Sequence, residues 1–313
     1  MKVKVFIDGS SGTTGLRIAD RLAERPEIEL LSISAEGRKD VHERAKVINS
    51  ADLAFLCLPD AASKEVMPLL RPDVKVLDTS TAFRTDAAWD YGFPELKGQK
   101  AKIQNSYRVA VPGCYASGFI SIARPLVELG LAPAEYPFSC TGISGYSGGG
   151  KKMIAEYESA DRPVHSKLDA PKSYGLGLAH KHLPEMQKIS GLAHTPMFVP
   201  VVCDYYCGMQ VLVPLDLTLA GSTAEQVAEG IAAYYKDAAT VKVHALNEAL
   251  PENGLYSNAM AGTDRMELYM TVNAAGDQMM LVSLFDNLGK GSSGAAVQCM
   301  NLMLGLEETK GLE

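Results

Sequence analysis

The chain has 313 residues, of which 47% are hydrophobic, 21% charged and 7% aromatic. This composition is typical of a globular protein of about two domains and excludes the disordered and collagen-like classes. A formal net charge of −7 supplies no basic surface for a polyanion, so we expect no nucleic-acid partner. No apolar stretch approaches the ~20 residues that span a bilayer, and no signal-peptide pattern opens the chain, so we expect no membrane contact and a cytoplasmic location.

The first third of the chain alternates between strands and helices. Strands are predicted at 3–7, 28–33, 54–58 and 74–77, and a helical pattern at 16–23 follows the first of them. This alternation is typical of βαβ units, so we predict an α/β fold with a doubly wound dinucleotide-binding (Rossmann) domain over residues 1–113. A predicted helix at 294–304 returns to this domain, so residues from about 290 to 313 complete it.

Residues 114–289 show a different pattern. Helical segments at 115–129 and 223–236 mix with β-rich runs at 197–202, 208–218 and 268–274. We therefore predict a catalytic and substrate domain of the α+β class, with a largely antiparallel sheet that is covered on one face.

A glycine-rich loop separates the first strand from the first helix. Gly9, Gly12 and Gly15 follow GxxGxxG spacing, with Ser11 and Thr13 between them. Such a turn directs backbone N–H groups and the positive end of a helix dipole at a pyrophosphate, so the loop predicts dinucleotide binding.

The tip of the second strand selects the dinucleotide. Ser34, Arg38 and Lys39 are suited to a 2′-phosphate and favour NADP(H), whereas Glu36 favours the free ribose hydroxyl of NAD. We predict NADP(H), with a solvated loop of mixed charge as the alternative.

Cys114 differs from the other five cysteines, which lie in apolar or strand-like runs without a zinc-binding spacing. Val111-Pro112-Gly113 forms a turn before it, and the helical pattern begins directly after it. A helix N-terminus favours thiolate over thiol, so Cys114 is a candidate nucleophile.

The segment His180-Lys181-His182-Leu183-Pro184-Glu185 supplies a candidate acid/base. On an extended segment the two imidazoles would share one face, and Glu185 could orient one of them. The same three side chains could hold a metal ion, but no further ligand cluster is evident, so we predict no metal site.

Seven segments together resemble a known family: GSSGTTG at 9–15, LDTSTAFR at 77–84, YGFPEL at 91–96, PGCYAS at 112–117, SGYSGGGK at 144–151, HKHLPE at 180–185 and NLGKGSSGAAVQ at 287–298. The chain is similar to the short form of N-acetyl-gamma-glutamyl-phosphate reductase, in the semialdehyde dehydrogenase superfamily. This resemblance implies the NADPH-dependent reduction of N-acetyl-γ-glutamyl phosphate to N-acetylglutamate semialdehyde, a step of arginine biosynthesis that releases inorganic phosphate.

The resemblance also implies roles for particular residues. Cys114 takes the place of the nucleophile and His182 that of the acid/base. The cofactor would contact the glycine loop and a second stretch that contains Asn287, Lys290 and Gly291. The chain departs from the family's usual NPGCYPT by having Val111 in place of Asn, and Ala116-Ser117 in place of Pro-Thr.

The anionic substrate requires cations and polar groups. Arg108, Lys151, His180 and Glu185 are the predicted substrate-binding residues, and Arg84 and Lys181 are further cations in reach of the motifs. We also expect a homo-oligomer, dimer or tetramer.

Two alternatives stay open at this point. An aspartate-semialdehyde dehydrogenase-like enzyme would share the fold and the Cys/His pair, but not the HKHLPE and YGFPEL segments. A non-catalytic NADP(H)-binding redox sensor would use Cys114 to respond to oxidants.

Overall fold

The computed structural model describes residues 2–313; Met1, the first residue of the predicted first domain, lies outside them. The chain forms two compact units. The first contains the residues up to Pro94, Gly98–Pro112 and Ser292–Leu312, and the second contains Glu95–Lys97, Gly113–Gly291 and Glu313. The sequence did not indicate that Glu95–Lys97 would belong to the second unit.

The first unit is built on a six-stranded sheet. Its elements are β1 (Val3–Asp8), α1 (Thr13–Ala23), β2 (Ile28–Leu31), α2 (Val41–Ser50), β3 (Leu53–Leu56), α3 (Asp60–Val66), β4 (Lys75–Asp78), β5 (Asp90–Tyr91), α4 (Gln99–Asn105) and β6 (Arg108–Ala110). The strands are all parallel, in the order β2-β1-β3-β4-β6-β5. The predicted parallel sheet is therefore confirmed.

Helices cover both faces of this sheet. One apolar core joins the strands to Ile18 and Leu22 of α1 and Ile103 of α4, and the other joins them to Ile48 of α2 and Val66 of α3. The last helix, α10 (Gly294–Met303), packs into the first of these cores. The chain thus returns to the first unit at its C-terminal end.

The second unit contains a seven-stranded sheet. Its elements are α5 (Cys114–Glu128), β7 (Ser139–Gly145), α6 (Gly150–Tyr157), β8 (Lys172–Ser173), α7 (Leu183–Ser190), β9 (Met197–Cys203), β10 (Met209–Asp216), α8 (Leu217–Ala220), α9 (Ala224–Tyr234), β11 (Val241–Val243), β12 (Met266–Val272) and β13 (Gln278–Phe285). The strand order is β11-β12-β13-β10-β7-β9-β8. Only the β7–β9 and β11–β12 pairs are parallel, so the sheet is mixed and largely antiparallel, as predicted.

Helix α5 is the central helix of the second unit. It packs against α7, α9, β10 and β13, and 11 of its 15 residues are buried. Because a helix that is apolar on all sides must be enclosed, the packing of α5 fixes where its first residue, Cys114, lies.

Within residues 2–313, no helix is long and apolar enough to cross a membrane. All six cysteines are thiols rather than disulfides.

Candidate active site

The glycine loop of the first unit has a backbone that only glycine can form. Gly9 has φ +89°, and a Cβ there would lie 2.3 Å from the carbonyl oxygen of Cys57. A Cβ on Gly15 would lie 2.4 Å from the carbonyl oxygen of Gly9. The Gly12 N–H closes the turn on the Gly9 carbonyl at 2.9 Å, and α1 begins at Thr13. The loop therefore passes tightly from β1 into a helix N-terminus, which is where a dinucleotide pyrophosphate binds.

A cleft of about 360 Å³ adjoins this loop at the carboxyl ends of β1 and β2. Its lining includes Gly9, Ser10, Ser11 and Arg38. In the order β2-β1-β3, the chain adds β2 on one side of β1 and then crosses to add β3 on the other side. Ligands of doubly wound sheets bind at the carboxyl ends of the strands beside such a switch point. The cleft and the close-packed loop fit a dinucleotide.

The predicted residues at the tip of β2 differ in whether they line the cleft. The guanidinium-bearing Arg38 lines the cleft and is exposed, and Lys39 is exposed but is not part of the lining. Ser34 Oγ accepts the Gly37 N–H at 3.0 Å and so stabilises the turn that presents Arg38. Contact of these three side chains with a cofactor stays a prediction.

Cys114 lies at the first position of α5, where Gly113 is the N-cap. From Val111 to Ala123, Cys114 is the one residue that is half-buried rather than buried. The N–H groups of Tyr115 and Ala116 have no partner inside the helix because α5 begins there. The thiol is thus accessible at a helix N-terminus in an otherwise enclosed segment.

Glu185 connects the cysteine-bearing helix with the histidine-bearing helix. Its Oε1 accepts the Gly113 N–H at 2.8 Å, and the side chain is only 2% exposed. At the other end of the same helix pair, Arg124 Nη1 donates to the Ile189 carbonyl at 2.7 Å. The sequence predicts that Glu185 binds substrate or orients an imidazole. In the structure its carboxylate accepts a hydrogen bond from the backbone N–H of Gly113, next to Cys114.

The two histidines lie close together, but not on an extended segment as we expected. His182 has αR backbone angles and is the N-cap of α7, because Pro184 favours the first turn of a helix. The ring centroids of His180 and His182 are 4.7 Å apart with the planes nearly perpendicular. His180 Nδ1 accepts the His182 N–H at 3.2 Å, which places the proton of a neutral His180 on Nε2.

The His180 imidazole is neutral near pH 7. Burial, together with the nearby Lys181 ammonium, lowers the pKa of His180 from 6.5 to about 4. His180 therefore presents a neutral N–H donor rather than a positive charge, and its contact with substrate stays a prediction.

Two tyrosines that the sequence did not single out, Tyr115 and Tyr174, lie beside the His180 ring. Tyr174 OH donates to Tyr115 OH at 3.4 Å, and Tyr115 OH donates to the Val201 carbonyl at 3.3 Å. Burial raises the pKa of Tyr174 to about 12, and proximity to Cys114 adds to the rise. Both hydroxyls therefore stay protonated. Tyr115 follows the cysteine directly and could have been found from that position, whereas nothing local marks Tyr174.

The second predicted cofactor stretch is engaged in contacts within the second unit. Asn287 Oδ1 accepts the Gly208 N–H at 2.8 Å and Nδ2 donates to Ser147 Oγ at 3.0 Å. Lys290 Nζ bonds to both carboxylate oxygens of Glu95. A Cβ on Gly291 would lie 2.9 Å from Cys114 Cβ. Gly291 is thus brought to the nucleophile, and cofactor contact of the three residues stays a prediction.

Val111, which stands where the family has Asn, is accommodated by its surroundings. Its side chain is 1% exposed in the apolar core. Its carbonyl oxygen accepts Arg84 Nε at 2.9 Å, and Arg84 Nη2 donates to the Thr79 carbonyl at 2.9 Å. Arg84 is therefore fixed beside the segment that leads to Cys114, at the carboxyl end of β4.

The position of Arg108 does not favour its predicted substrate-binding role, which stays a prediction. Arg108 begins β6, so it lies at the amino edge of a parallel sheet whose functional edge is the carboxyl one. Its guanidinium donates to the carbonyl oxygens of Val74, Tyr107 and Arg71. The sequence could not reveal this, because the residue pattern around an arginine does not show whether it lies at the amino or the carboxyl end of a short strand.

Lys151 is exposed in the first turn of α6, and its role stays a prediction.

Among the described residues 2–313, no group of three or more His, Cys, Asp or Glu side chains could hold a metal ion.

Comparison with solved structures supports the fold. The aspartate semialdehyde dehydrogenase of Candida albicans with NADP superimposes with a TM-score of 0.65 over 97% of this chain and 99% of that chain, at 14% identity. The model of the semialdehyde dehydrogenase NAD-binding domain matches residues 4–104, and that of the semialdehyde dehydrogenase dimerisation domain matches residues 114–287. A glycine-loop dinucleotide unit and a second unit with cysteine at a helix start thus define the semialdehyde dehydrogenase class.

Sequence relatives narrow this class. N-acetyl-gamma-glutamyl-phosphate reductase of Trichormus variabilis is 46% identical, with 99% of both chains covered. The enzyme of the same name from Burkholderia cenocepacia is 46% identical, with 96% of this chain and 97% of the relative covered. The chain belongs to the N-acetyl-gamma-glutamyl-phosphate reductase family.

The neutral His180 makes stability depend on pH. Between pH 6.5 and about 4 the unfolded chain binds a proton that the folded protein does not, so the free energy of unfolding decreases as the pH falls. We expect His180→Gln, whose amide oxygen can still accept the His182 N–H, to lose less stability than the parent between pH 7 and 4.5 in urea denaturation. The exposed His194→Gln is the control and should follow the parent. Parallel curves for the parent and His180→Gln would contradict a neutral, half-buried imidazole.

Proposed function

We propose that this protein catalyses the NADPH-dependent reduction of N-acetyl-γ-glutamyl phosphate to N-acetylglutamate 5-semialdehyde, with release of phosphate, in arginine biosynthesis. The observation that carries the proposal is the half-buried Cys114 at the start of α5, tied through Gly113 and Glu185 to the helix that His182 caps. Its close relatives carry the name of this reductase.

Cys114 performs the covalent chemistry. Its thiolate sulfur attacks the acyl carbon, the bond from that carbon to the phosphate oxygen breaks, and inorganic phosphate leaves. The product of this step is a thioester on Cys114. NADPH, when bound, supplies the hydride that adds to the acyl carbon of this thioester, and the protonated His182 imidazole gives the resulting oxyanion the proton that makes it a thiohemiacetal hydroxyl.

His182 handles the proton. When the thiohemiacetal collapses, the carbon–sulfur bond breaks, the aldehyde forms, and the hydroxyl proton passes to the imidazole. His182 is 5% exposed, so the imidazole exchanges this proton with little competition from bulk water. In the reverse direction it returns the proton.

The start of α5 stabilises the oxyanion of each tetrahedral stage. The N–H groups of Tyr115 and Ala116, with the positive end of the helix dipole, supply preplaced donors at the thiol. Arg84, rather than Arg108, is our candidate for the substrate phosphate, since its guanidinium is already oriented by two carbonyls at the carboxyl edge of the sheet.

The two alternatives are less well supported. The aspartate-semialdehyde enzymes share the fold at 14–18% identity, which carries no substrate information, whereas the reductases share 46%. A redox sensor requires neither the HKHLPE segment nor the helix-to-helix hydrogen bond that fixes its position.

We also propose that the enzyme lies in the cytoplasm, because a cysteine nucleophile has to stay reduced and the cytoplasm keeps thiols reduced.

We also propose that the chain forms a homo-oligomer, dimer or tetramer. Support comes from the description of the matching dimerisation domain.

An assay of the reverse reaction tests the activity. With phosphate present, purified protein should reduce NADP⁺ with N-acetylglutamate semialdehyde at least about 100-fold faster than with aspartate semialdehyde, because a site built for the acetylated amine rejects the charged one. Absence of turnover with both aldehydes would leave the redox sensor as the better interpretation. Preference for aspartate semialdehyde would make the other enzyme class correct.

Cys114→Ser should abolish turnover while leaving NADPH affinity within about twofold, because a hydroxyl is a far weaker nucleophile and the glycine loop belongs to a separate unit. Steady-state kinetics and fluorescence titration measure the two effects. The buried Cys299→Ser, in the core of the first unit, is the matched control and should lower stability more than chemistry. More than about 1% residual activity in Cys114→Ser would contradict the covalent route.

Cofactor preference tests Arg38 and Lys39. If these side chains bind the 2′-phosphate, Arg38→Ala with Lys39→Ala should raise the KM for NADPH by about 10-fold or more and leave the KM for NADH nearly unchanged. Since only Arg38 lines the cleft, we expect Arg38→Ala alone to give most of the effect. Equal losses with both cofactors would instead direct attention to Glu36.

A further inference from the structure

The YGFPEL segment contains a charge that the reaction does not use. Glu95 belongs to the three residues, Glu95–Lys97, that join the second unit although the chain around them belongs to the first. Its carboxylate accepts Lys290 Nζ at 2.7 and 2.8 Å and Thr240 Oγ1 at 2.5 Å. The side chains of Glu95 and Lys290 are 1% and 2% exposed. This is a fully enclosed ion pair with its carboxylate held from two sides.

Lys290 lies in a π-helical turn, Gly289–Ser293, in which the Gly291 N–H bonds to the Asp286 carbonyl at 2.9 Å. Such turns are rare and occur frequently at functional sites. One flank of the turn is closed by the Thr263 carbonyl, which a Cβ on Gly289 would meet at 2.0 Å. The other flank is Gly291, whose Cβ position lies 2.9 Å from Cys114 Cβ.

We propose that Glu95 and Lys290 are positioning residues for the nucleophile: the buried ion pair holds the π-helical turn so that Gly291 forms the wall against which Cys114 is oriented. This inference rests on the proposed function for its kinetic consequence, but not for its structural one. It replaces our prediction of a cofactor-binding Lys290, because an ammonium bonded to both oxygens of a buried carboxylate is already neutralised.

The geometry explains why a charged pair suits this position. Gly289 and Gly291 have no side chains, so at this end of the turn Lys290 is the residue whose side chain adds to the backbone contacts that hold it. The two bonds from one ammonium to both oxygens of a carboxylate, itself fixed by Thr240, restrict that anchor in more than one direction. A small displacement of Gly291 would open space beside Cys114 and relax the thiol away from its attack position.

The experiment compares Lys290→Met with the double variant Glu95→Gln, Lys290→Met, which leaves no unpaired charge in the interior. For both we expect kcat to fall about 10- to 100-fold, the range for a nucleophile displaced by about 1 Å. The KM for the aldehyde and the Kd for NADPH should stay within about threefold. The rate of Cys114 alkylation by iodoacetamide, followed on its own peptide by mass spectrometry, should change at least about threefold.

Arg25→Met is the control for stability alone. Arg25 is a buried arginine of the first unit that bonds to Glu27 and Asn301, so its loss should lower Tm without changing kcat or Cys114 alkylation. Three results would overturn the proposal: weakened NADPH binding with unchanged alkylation, recovery of parental kcat in the double variant, or a loss of Tm alone. Alkylation needs no turnover, so it tests the positioning role even if the parent does not reduce the acyl phosphate.

Discussion

The site depends on one buried hydrogen bond, from the Gly113 N–H to Glu185 Oε1. Gly113 caps the helix that begins with Cys114, and Glu185 lies in the first turn of the helix that His182 caps. Two separate parts of the sequence, each an ordinary helix start, are therefore held together at their N-termini. The Glu185 carboxylate also accepts the Gly113 N–H, which has no hydrogen-bond partner within the helix itself. The enclosed packing of α5 then transmits this position to the sheet of the second unit.

The features that sequence analysis predicts well are those set by local chemistry. Gly9 has φ +89° beside the Cys57 carbonyl, a conformation that favours glycine, so the dinucleotide loop follows from its own glycines. The helix at Cys114 likewise follows from neighbouring residues, because a Pro-Gly turn precedes a helical pattern there. The parallel sheet follows from repeated strand–helix alternation. The mixed sheet of the second unit is less determined, because its β7–β9 and β11–β12 pairs are parallel through long connections.

The parts that the sequence did not reveal are pairings across long separations. Glu185 bonds to a residue 72 positions away and Lys290 to one 195 positions away, and no periodicity encodes either partner. Arg108 shows the same limit: as a cation near the motifs it suggested an anion site, whereas in the structure its guanidinium donates to carbonyl oxygens at the amino edge of the sheet. The charge of a side chain predicts that it needs a partner, and only the fold decides which one.

The state of one histidine in the site bears on the role proposed for the other. Their ring centroids are 4.7 Å apart, so two imidazolium ions would repel each other strongly in a partly dry site. Burial and Lys181 lower the pKa of His180 to about 4, and its Nδ1 is engaged by the His182 N–H. His180 is thereby fixed as a neutral hydrogen-bonding group, and His182 can accept the proton released at Cys114 without a cationic neighbour in the second ring. The state of His180 thus supports the proposal that His182 is the acid/base.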